Sequence, residues 1–469
     1  MRFRLSLAGK LKGRNLKSIR RWGFVFWMGM VAPACLGGSS PNSKPPATPP
    51  AAPTGLTVTP ATSGRMDLVW VDNSNNEFEF RIERSDDLGV NYTQIGTAPN
   101  NAQGYSDFGL LPNTPYYYRV FAWNAKGPSA FAGPSNDTTK PLAWSPKITG
   151  GPGTPLANHS AIFDALGNRM IVFGGFDDVF TAYNDVWSFN LSSPGVSSAS
   201  WGATPETTGG VTAPFRGGHS AIYDSASRRM IVFGGQDSGL NYQNDVYVLA
   251  LDTMVWSSPT VQGTPPTKRG MHTAVYDPDH QQMIVYGGTD GGPFSLDDVY
   301  VLSLPATGPL VWSAPAVGAR PVHRQQHSAI YDSLAHRMLV FGGEDEEFLL
   351  DGSSLSNETW AFSPAGWTPL LFPGTPGFRM GQAAANDAAN HQMVVFGGST
   401  TTGFTMSNEL WRMRLEGTPT WSLLSPGGTP PTGRMGSSMI YDTAFKRVVI
   451  YGGFDGSLTA LDEVFVIAP

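Results

Sequence analysis

Cysteine is nearly missing from this chain: Cys35 is the only one among 469 residues, so nothing beyond that position rests on thiol chemistry. Charge is scarce too, at 14% of residues against a usual quarter. Aromatics nevertheless reach 12% and the mean hydropathy is only −0.16, which excludes a charge-solvated disordered chain and leaves ample material for a core. Long apolar runs are absent apart from Trp22 to Val31, so no second hydrophobic span follows the first. Basic residues are missing from the body in excess of acids. Residues 1–34 hold eight cations (Arg2, Arg4, Lys10, Lys12, Arg14, Lys17, Arg20, Arg21) and no acid. Setting those aside from 31 basic residues leaves 23 against 37 acidic side chains, a net of −14. A body that acidic repels phosphate backbones, and no basic stripe compensates, so nucleic acid is not an expected partner.

What is abundant is punctuation. Gly (55) and Pro (38) make up about a fifth of the chain, where roughly 12% is usual. Helical bundles and coiled coils fit poorly; an all-β chain dense in turns fits well. The length allows two to four domains.

The N-terminus reads as an export signal over residues 1–34: a long basic region, the short apolar run, then Ala32-Pro33-Ala34-Cys35. Cleavage after Ala34 by an ordinary signal peptidase releases a soluble, secreted protein. The same stretch resembles a bacterial lipoprotein box, although Leu is expected where Ala32 stands. That resemblance implies acylation of Cys35, a membrane anchor through it, and an extracytoplasmic place in the cell envelope. Residues 35–53, rich in clustered proline, form a semi-rigid spacer.

Residues 54–140 alternate in short runs. Met66 to Trp70 alternates, the turn DNSNNE follows, and Phe78 to Glu83 alternates again, as in a sandwich strand pair with one buried face. Leu110, Pro112, Thr114, Tyr116, Tyr118 and Val120 complete a stretch that resembles the fibronectin type III family. The resemblance implies a β-sandwich with Trp70 in its core and Tyr116 bonding nearby backbone.

Residues 141–469 repeat. Double glycines fall at 174–175, 234–235, 287–288, 342–343, 397–398 and 452–453, at intervals of 60, 53, 55, 55 and 55. Each follows a near-constant phrase such as HSAIYDSASRRMIVFGG, and tryptophans recur at Trp201, Trp256, Trp312, Trp367 and Trp421. A period near 50 with Gly-Gly and a trailing Trp resembles the kelch family, one four-stranded propeller blade per repeat. The fold class expected is therefore all-β: a fibronectin type III sandwich, then a six-bladed kelch propeller. Asp164, Asp224, Asp277, Asp332, Asp387 and Asp442 open the first hairpin of each repeat. The sixth repeat ends without a tryptophan, while Trp144 precedes the first repeat without one. The strand around Trp144 is thus expected to form the outer strand of the sixth blade and close the ring.

Catalytic residues, metal ligands and cofactors are not expected. Some kelch-like propellers are copper-radical oxidases, but their Tyr–Cys cross-link has no cysteine to use here. His159, His219, His272 and His327 share one repeat position and read as blade elements rather than a metal cluster. Acids after the glycine pairs (Asp177, Asp178, Asp237, Asp290, Asp345, Glu346, Glu347, Asp455) differ in spacing from repeat to repeat and read as solvated loops. The expected function is a monomeric scaffold that recognises a protein or glycan through propeller loops; the alternative is an extracytoplasmic carbohydrate-active enzyme. Arg216, Arg269, Arg324, Arg379 and Arg434 stand three residues before the first-strand His position in five of six repeats, with Leu156 in the first. They are candidates for a partner-binding ring at the channel mouth, since a guanidinium fits carboxylates; the alternative is pairing with acids or carbonyls of the blades.

Overall fold

The computed structural model describes residues 48–468 except 150, 193–198, 346–354 and 373. Cys35 and residues 35–47 of the spacer lie outside the described residues. Among those described there is no helix; every element is a short strand.

The first eight strands form a sandwich. Thr54–Thr62, Arg65–Val71 and Gly104–Phe108 make one antiparallel sheet, and Glu79–Ser85 is flanked by Thr93–Pro99 and Pro115–Asn124 in the other. Alternate residues point inward: Met66, Leu68 and Trp70 from one sheet meet Phe80, Ile82, Tyr118 and Val120 from the other, as half-buried strands require. Trp70 packs on Phe80 with centroids 5.4 Å apart. The Tyr116 hydroxyl accepts a bond from Leu111 N at 2.9 Å.

From Ala143 onward the described strands assort into six sheets, each built on the succession first, second, third and outer strand. The fourth, for instance, runs Ser328–Asp332, Arg337–Phe341, Thr359–Ser363, Gly366–Leu370. Second strands such as Arg229–Phe233 and Arg337–Phe341 are buried on both faces because each sheet is sandwiched between its neighbours. This is why they read as continuous apolar runs rather than alternations. The hairpin turns follow from the aspartates: Asp224 Oδ1 accepts Ala226 N at 3.1 Å and Asp332 Oδ1 accepts Leu334 N at 3.1 Å. The other oxygen of each pairs with an arginine five residues on, Arg229 at 2.7 Å and Arg337 at 3.0 Å.

Two sets of backbone bonds join the sheets. The second glycine of each pair donates to the next sheet: Gly175 N to Arg216 O, Gly235 N to Arg269 O, and onward to Gly453 N donating to Leu156 O, all at 2.8–2.9 Å. The first strands lie against one another in a circuit that returns from Ser438–Asp442 to Ser160–Asp164. At their entrances Asn158, Gly218, Met271, Gln326, Gly381 and Gly436 form a second circuit. Each donates its N–H to the carbonyl of the one before, and Asn158 donates to Gly436, at 2.8–2.9 Å throughout. All six have φ between 51° and 65°, the left-handed conformation that turns both groups along the ring. This all-β arrangement fits a β-propeller.

The sandwich rests on the fifth sheet. Phe108 stacks on His391 with centroids 4.0 Å apart, Thr62 Oγ1 donates to Asn390, and Arg412 Nη1 donates to the Leu110 carbonyl.

Strand Ala143–Trp144 pairs antiparallel with Val464–Ala468, Trp144 opposite Ile467. Trp144 is 6% exposed and packs against Phe396 and Phe465. Deleting residues 141–150 is expected to remove this packing, a loss on the order of 3–5 kcal/mol by analogy with truncating a buried Trp. A melting temperature lowered by several degrees in the truncated chain is the expected readout; an unchanged one contradicts it.

Candidate functional site

The five arginines sit inside the blades. Each is at most 2% exposed. Each donates from Nη1 to the carbonyl of the first glycine in its own sheet: Gly234 at 2.8 Å, Gly287 at 2.9 Å, Gly342 and Gly397 at 3.1 Å, Gly452 at 3.2 Å. Each also pairs with an acid just before the third strand: Arg216 with Asp245, Arg269 with Asp298, Arg324 with Glu358, Arg379 with Glu409 and Arg434 with Glu463, at 2.5–2.9 Å. The guanidinium thereby ties the strand entrance to the glycine turn and to the third strand. The acids keep one face toward solvent; Glu358 is 51% exposed at its side chain.

A cavity of about 240 Å³ lies on the axis, lined by residues entering all six first strands. Its wall carries a relay of side chains from blade to blade. His219 Nε2 lies 2.8 Å from Ser160 Oγ, His272 Nε2 2.9 Å from Ser220 Oγ, His327 Nε2 2.7 Å from Thr273 Oγ1, and His159 Nε2 2.8 Å from Ser438 Oγ. In the fifth blade Gln382 takes the histidine's place and bonds Ser328 Oγ at 3.2 Å. The sixth blade has Ser437 there, and the hydroxyl position before it is Ala383, so both members of that pair change together. The histidines shared by the repeats are thus bound as blade elements. Among the described residues, no three His, Cys, Asp or Glu side chains gather as a metal site.

Of the acids after the glycine pairs, Asp177, Asp237 and Asp455 serve the turns. Asp177 Oδ1 accepts Val179 N and Thr181 N, Asp237 Oδ1 accepts Gly239 N and Asn241 N, and Asp455 Oδ1 accepts Ser457 N and Thr459 N. Glu346 and Glu347 lie outside the described residues.

The fourth blade departs from its sisters. A cavity of about 260 Å³ opens between Val322, His323, Arg324, Asp345, Glu358 and Phe378. Val322 and Phe378 are more than half exposed, at 56% and 57%, while His323 Nδ1 meets Asp345 Oδ1 at 2.6 Å. Glu344, on the same wall, accepts bonds from Gln325 and Gln326. Arg324 is therefore the one sequence-singled arginine that borders this opening. The apolar rim was not legible because Val322 and Phe378 lie outside the near-constant phrase, and Phe378 shares its place before the arginine only with Phe215. The one available signal was the longer stretch after Gly343.

Comparison with known proteins agrees with the repeats. A family model described as the KLHDC2/KLHL20/DRC7 Kelch-repeats domain matches residues 136–304, 196–364 and 307–469. "Host cell factor homolog hcf-1" of Caenorhabditis elegans is 29% identical over 270 residues, covering 50% of this chain and 32% of that protein. "Putative adagio-like protein 2" of Oryza sativa subsp. japonica is 28% identical over 360 residues, 71% of this chain and 53% of the relative. "Kelch domain-containing protein 3" of Rattus norvegicus is 27% identical over 329 residues, 66% and 80% respectively. The chain spans about a third of the first and about half of the second.

Burial depresses the pKa of all four relay histidines, to about 3 for His159 and His272. In the unfolded chain they take up protons near 6.5, so between those values the unfolded state binds more protons and stability falls as pH falls. Each can contribute up to about 1.4 kcal/mol per pH unit in that window. Melting is expected to drop between pH 7.5 and 5, and His219→Gln, which copies Gln382, is expected to lessen the drop. An identical pH response in the variant would contradict this reading.

Proposed function

The chain belongs to the kelch-repeat family, and from that we propose that it is a protein-interaction scaffold whose partner docks on the loop end of the fourth blade. Kelch-repeat proteins are generally binding scaffolds. The observation that carries the site is the opening at Arg324, where exposed Val322 and Phe378 flank an ionic floor. Apolar anchors beside fixed charges are what a specific interface needs: the anchors supply burial and the charges orient the partner. The other four arginines keep the same pairing with an acid. Connectors can vary in this way without disturbing the repeated bonds beneath them. Screening the chain against a peptide array, with Val322→Ser and Phe378→Ser as controls, tests the assignment. Binders that weaken about tenfold in both variants (about 1.4 kcal/mol), with melting unchanged, are expected. Binders indifferent to both substitutions place the site elsewhere.

We also propose that Ala143–Trp144 is the outer strand of the sixth blade. In its support, Gly427 N donates to Leu142 O and Trp144 N to Gly427 O, each at 2.9 Å. Connector strands Gly209–Gly210 and Val261–Gly263 likewise pair parallel with the outer strands that carry Trp256 and Trp312. For the sandwich, a fibronectin type III identity is proposed on Trp70, on the Tyr116–Leu111 bond and on the two-sheet strand order.

Export and acylation at Cys35 are proposed on the basic leader, the apolar run and the position of the sole cysteine. Such an anchor, with more than one acyl chain, holds lastingly and places the scaffold in a bacterial cell envelope. Fractionation of the Cys35→Ala chain in a bacterial host decides it. The parent is expected with membranes and the variant in the soluble extract; equal partition rejects the anchor.

A further inference from the structure

The six loops that follow the glycine pairs, 176–185, 236–245, 289–298, 344–358, 399–409 and 454–463, contain no lysine and no arginine. They nevertheless hold 18 of the 37 acidic residues of the chain. Five of those acids are matched by the buried arginines. Among the described residues, Asp177, Asp237 and Asp455 accept only backbone and uncharged side-chain hydrogens, and Asp178 stands exposed beside them.

The same loops place apolar residues where the backbone least favours them. Phe180, Leu240, Phe404 and Leu458 close one kind of turn, each donating its N–H to the carbonyl three residues back at 2.9–3.2 Å, with φ between 59° and 61°. Bulky residues enter this left-handed region with strain, whereas Asn and Gly enter it readily. At the opposite end of the blades the first hairpin turns also hold left-handed residues. There they are Asn168, Arg228, Gln281, His336, His391 and Lys446, polar in every blade. The backbone therefore does not select Phe or Leu. Burial does not select them either, since Leu240 is 61% exposed, Phe180 46% and Phe404 39%.

The tips of the sixth, first and second blades adjoin. The Phe180 ring lies 5.6 Å from Phe454 and 6.2 Å from Phe176, centroid to centroid. Leu458, Met406 and Met271 pack on the same cluster, and Met271 also lines the axial cavity. Ala182 N donates to Ser238 Oγ at 2.8 Å, tying the loop of the first blade to that of the second. Aromatic rings and adaptable thioethers thus gather beside the cavity mouth, among carboxylates whose own loops supply no cation. Such a surface attracts a partner that is both apolar and positively charged, and it repels the phosphates of lipid and nucleic acid.

We propose that this collar on the sixth, first and second blades docks a basic amphipathic segment of a partner polypeptide. Apolar side chains of the segment cover the tips at Phe180 and Leu240, and its lysines or arginines lie toward Asp177, Asp178, Asp237 and Asp455. This assignment rests on the scaffold reading but not on the fourth-blade opening, and it names the partner's chemistry as basic rather than acidic.

The test uses the full chain and three blocked peptides of equal length, titrated by calorimetry. The first carries leucine on one face and lysine on the other; the second has glutamate in place of lysine, and the third has serine in place of leucine. The leucine–lysine peptide is expected to bind about tenfold tighter than either of the others. Leu240→Asn keeps a residue that suits the left-handed turn, so it is expected to weaken that peptide about tenfold while the melting temperature stays the same. Asp178→Asn, at an exposed carboxylate, is expected to weaken it too. Equal binding of the glutamate or serine peptide, or leucine–lysine binding indifferent to Leu240→Asn, overturns the proposal. Binding that is lost in Val322→Ser and Phe378→Ser but kept in Leu240→Asn assigns the peptide to the fourth-blade opening and removes the collar alone. Binding lost in Leu240→Asn, while array binders ignore Val322 and Phe378, removes the fourth-blade reading and leaves the collar in place.

Discussion

Everything in the repeat array hangs on a circle of six backbone hydrogen bonds. Asn158, Gly218, Met271, Gln326, Gly381 and Gly436 each donate to the carbonyl of the preceding member. A sheet that pairs only within itself buries neither face; the circle sets each sheet against the next, so that the apolar second strands are covered on both sides. Its members all adopt left-handed backbone, which glycine enters freely and other residues only with support. At Gly381 and Gly436, both at φ 65°, an L side chain would strain the backbone, whereas the Met435 and Asn158 tips that an added Cβ would meet can move aside.

Outward from that circle the same logic recurs at increasing radius. The glycine pair hands its N–H to the next blade, the arginine fills the space between glycine turn and third strand, and the histidine relay reaches a hydroxyl on the preceding blade. Because these bonds are satisfied within the ring, the repeated polar residues are framework. Binding is left to positions that break the repeat. The opening beside Arg324 breaks it with the exposed Val322 and Phe378, which lead into the fourth and fifth blades. The fifth carries Gln392, as the third carries Gln282, where Arg229 or Arg337 stands elsewhere. Its buried cation, Arg412, bonds both Gln392 and the Leu110 carbonyl of the sandwich. Desolvation pulls the Arg412 pKa down to about 10, a sign of how completely the sandwich covers it.

The repeat phrase made the architecture legible because its causes are local. An aspartate that opens a hairpin, a β-branched run and a glycine pair at positive φ act over a few residues and leave a periodic trace. The arginines were legible as a set and as having two uses. Which use prevails depends on acids 29 to 34 residues away, and no local pattern selects among 37 carboxylates. The fourth-blade cavity was not legible. Arg324 and Glu358 on its wall belong to the repeat, but the apolar rim of Val322 and Phe378 lies outside the repeated phrase.

By itself, then, the sequence determined an all-β chain, six repeats near 55 residues, turns that must hold glycine, and an acidic body of 23 cations against 37 carboxylates behind a basic N-terminal segment. Those are properties of composition and short-range sterics. The tertiary structure alone decided which separated segments meet. Ser145 accepts the N–H of Val466 across 321 residues, and each arginine finds one acid. Bringing distant chain segments together is a matter of packing around a common axis, and packing leaves no mark at any single position of the chain.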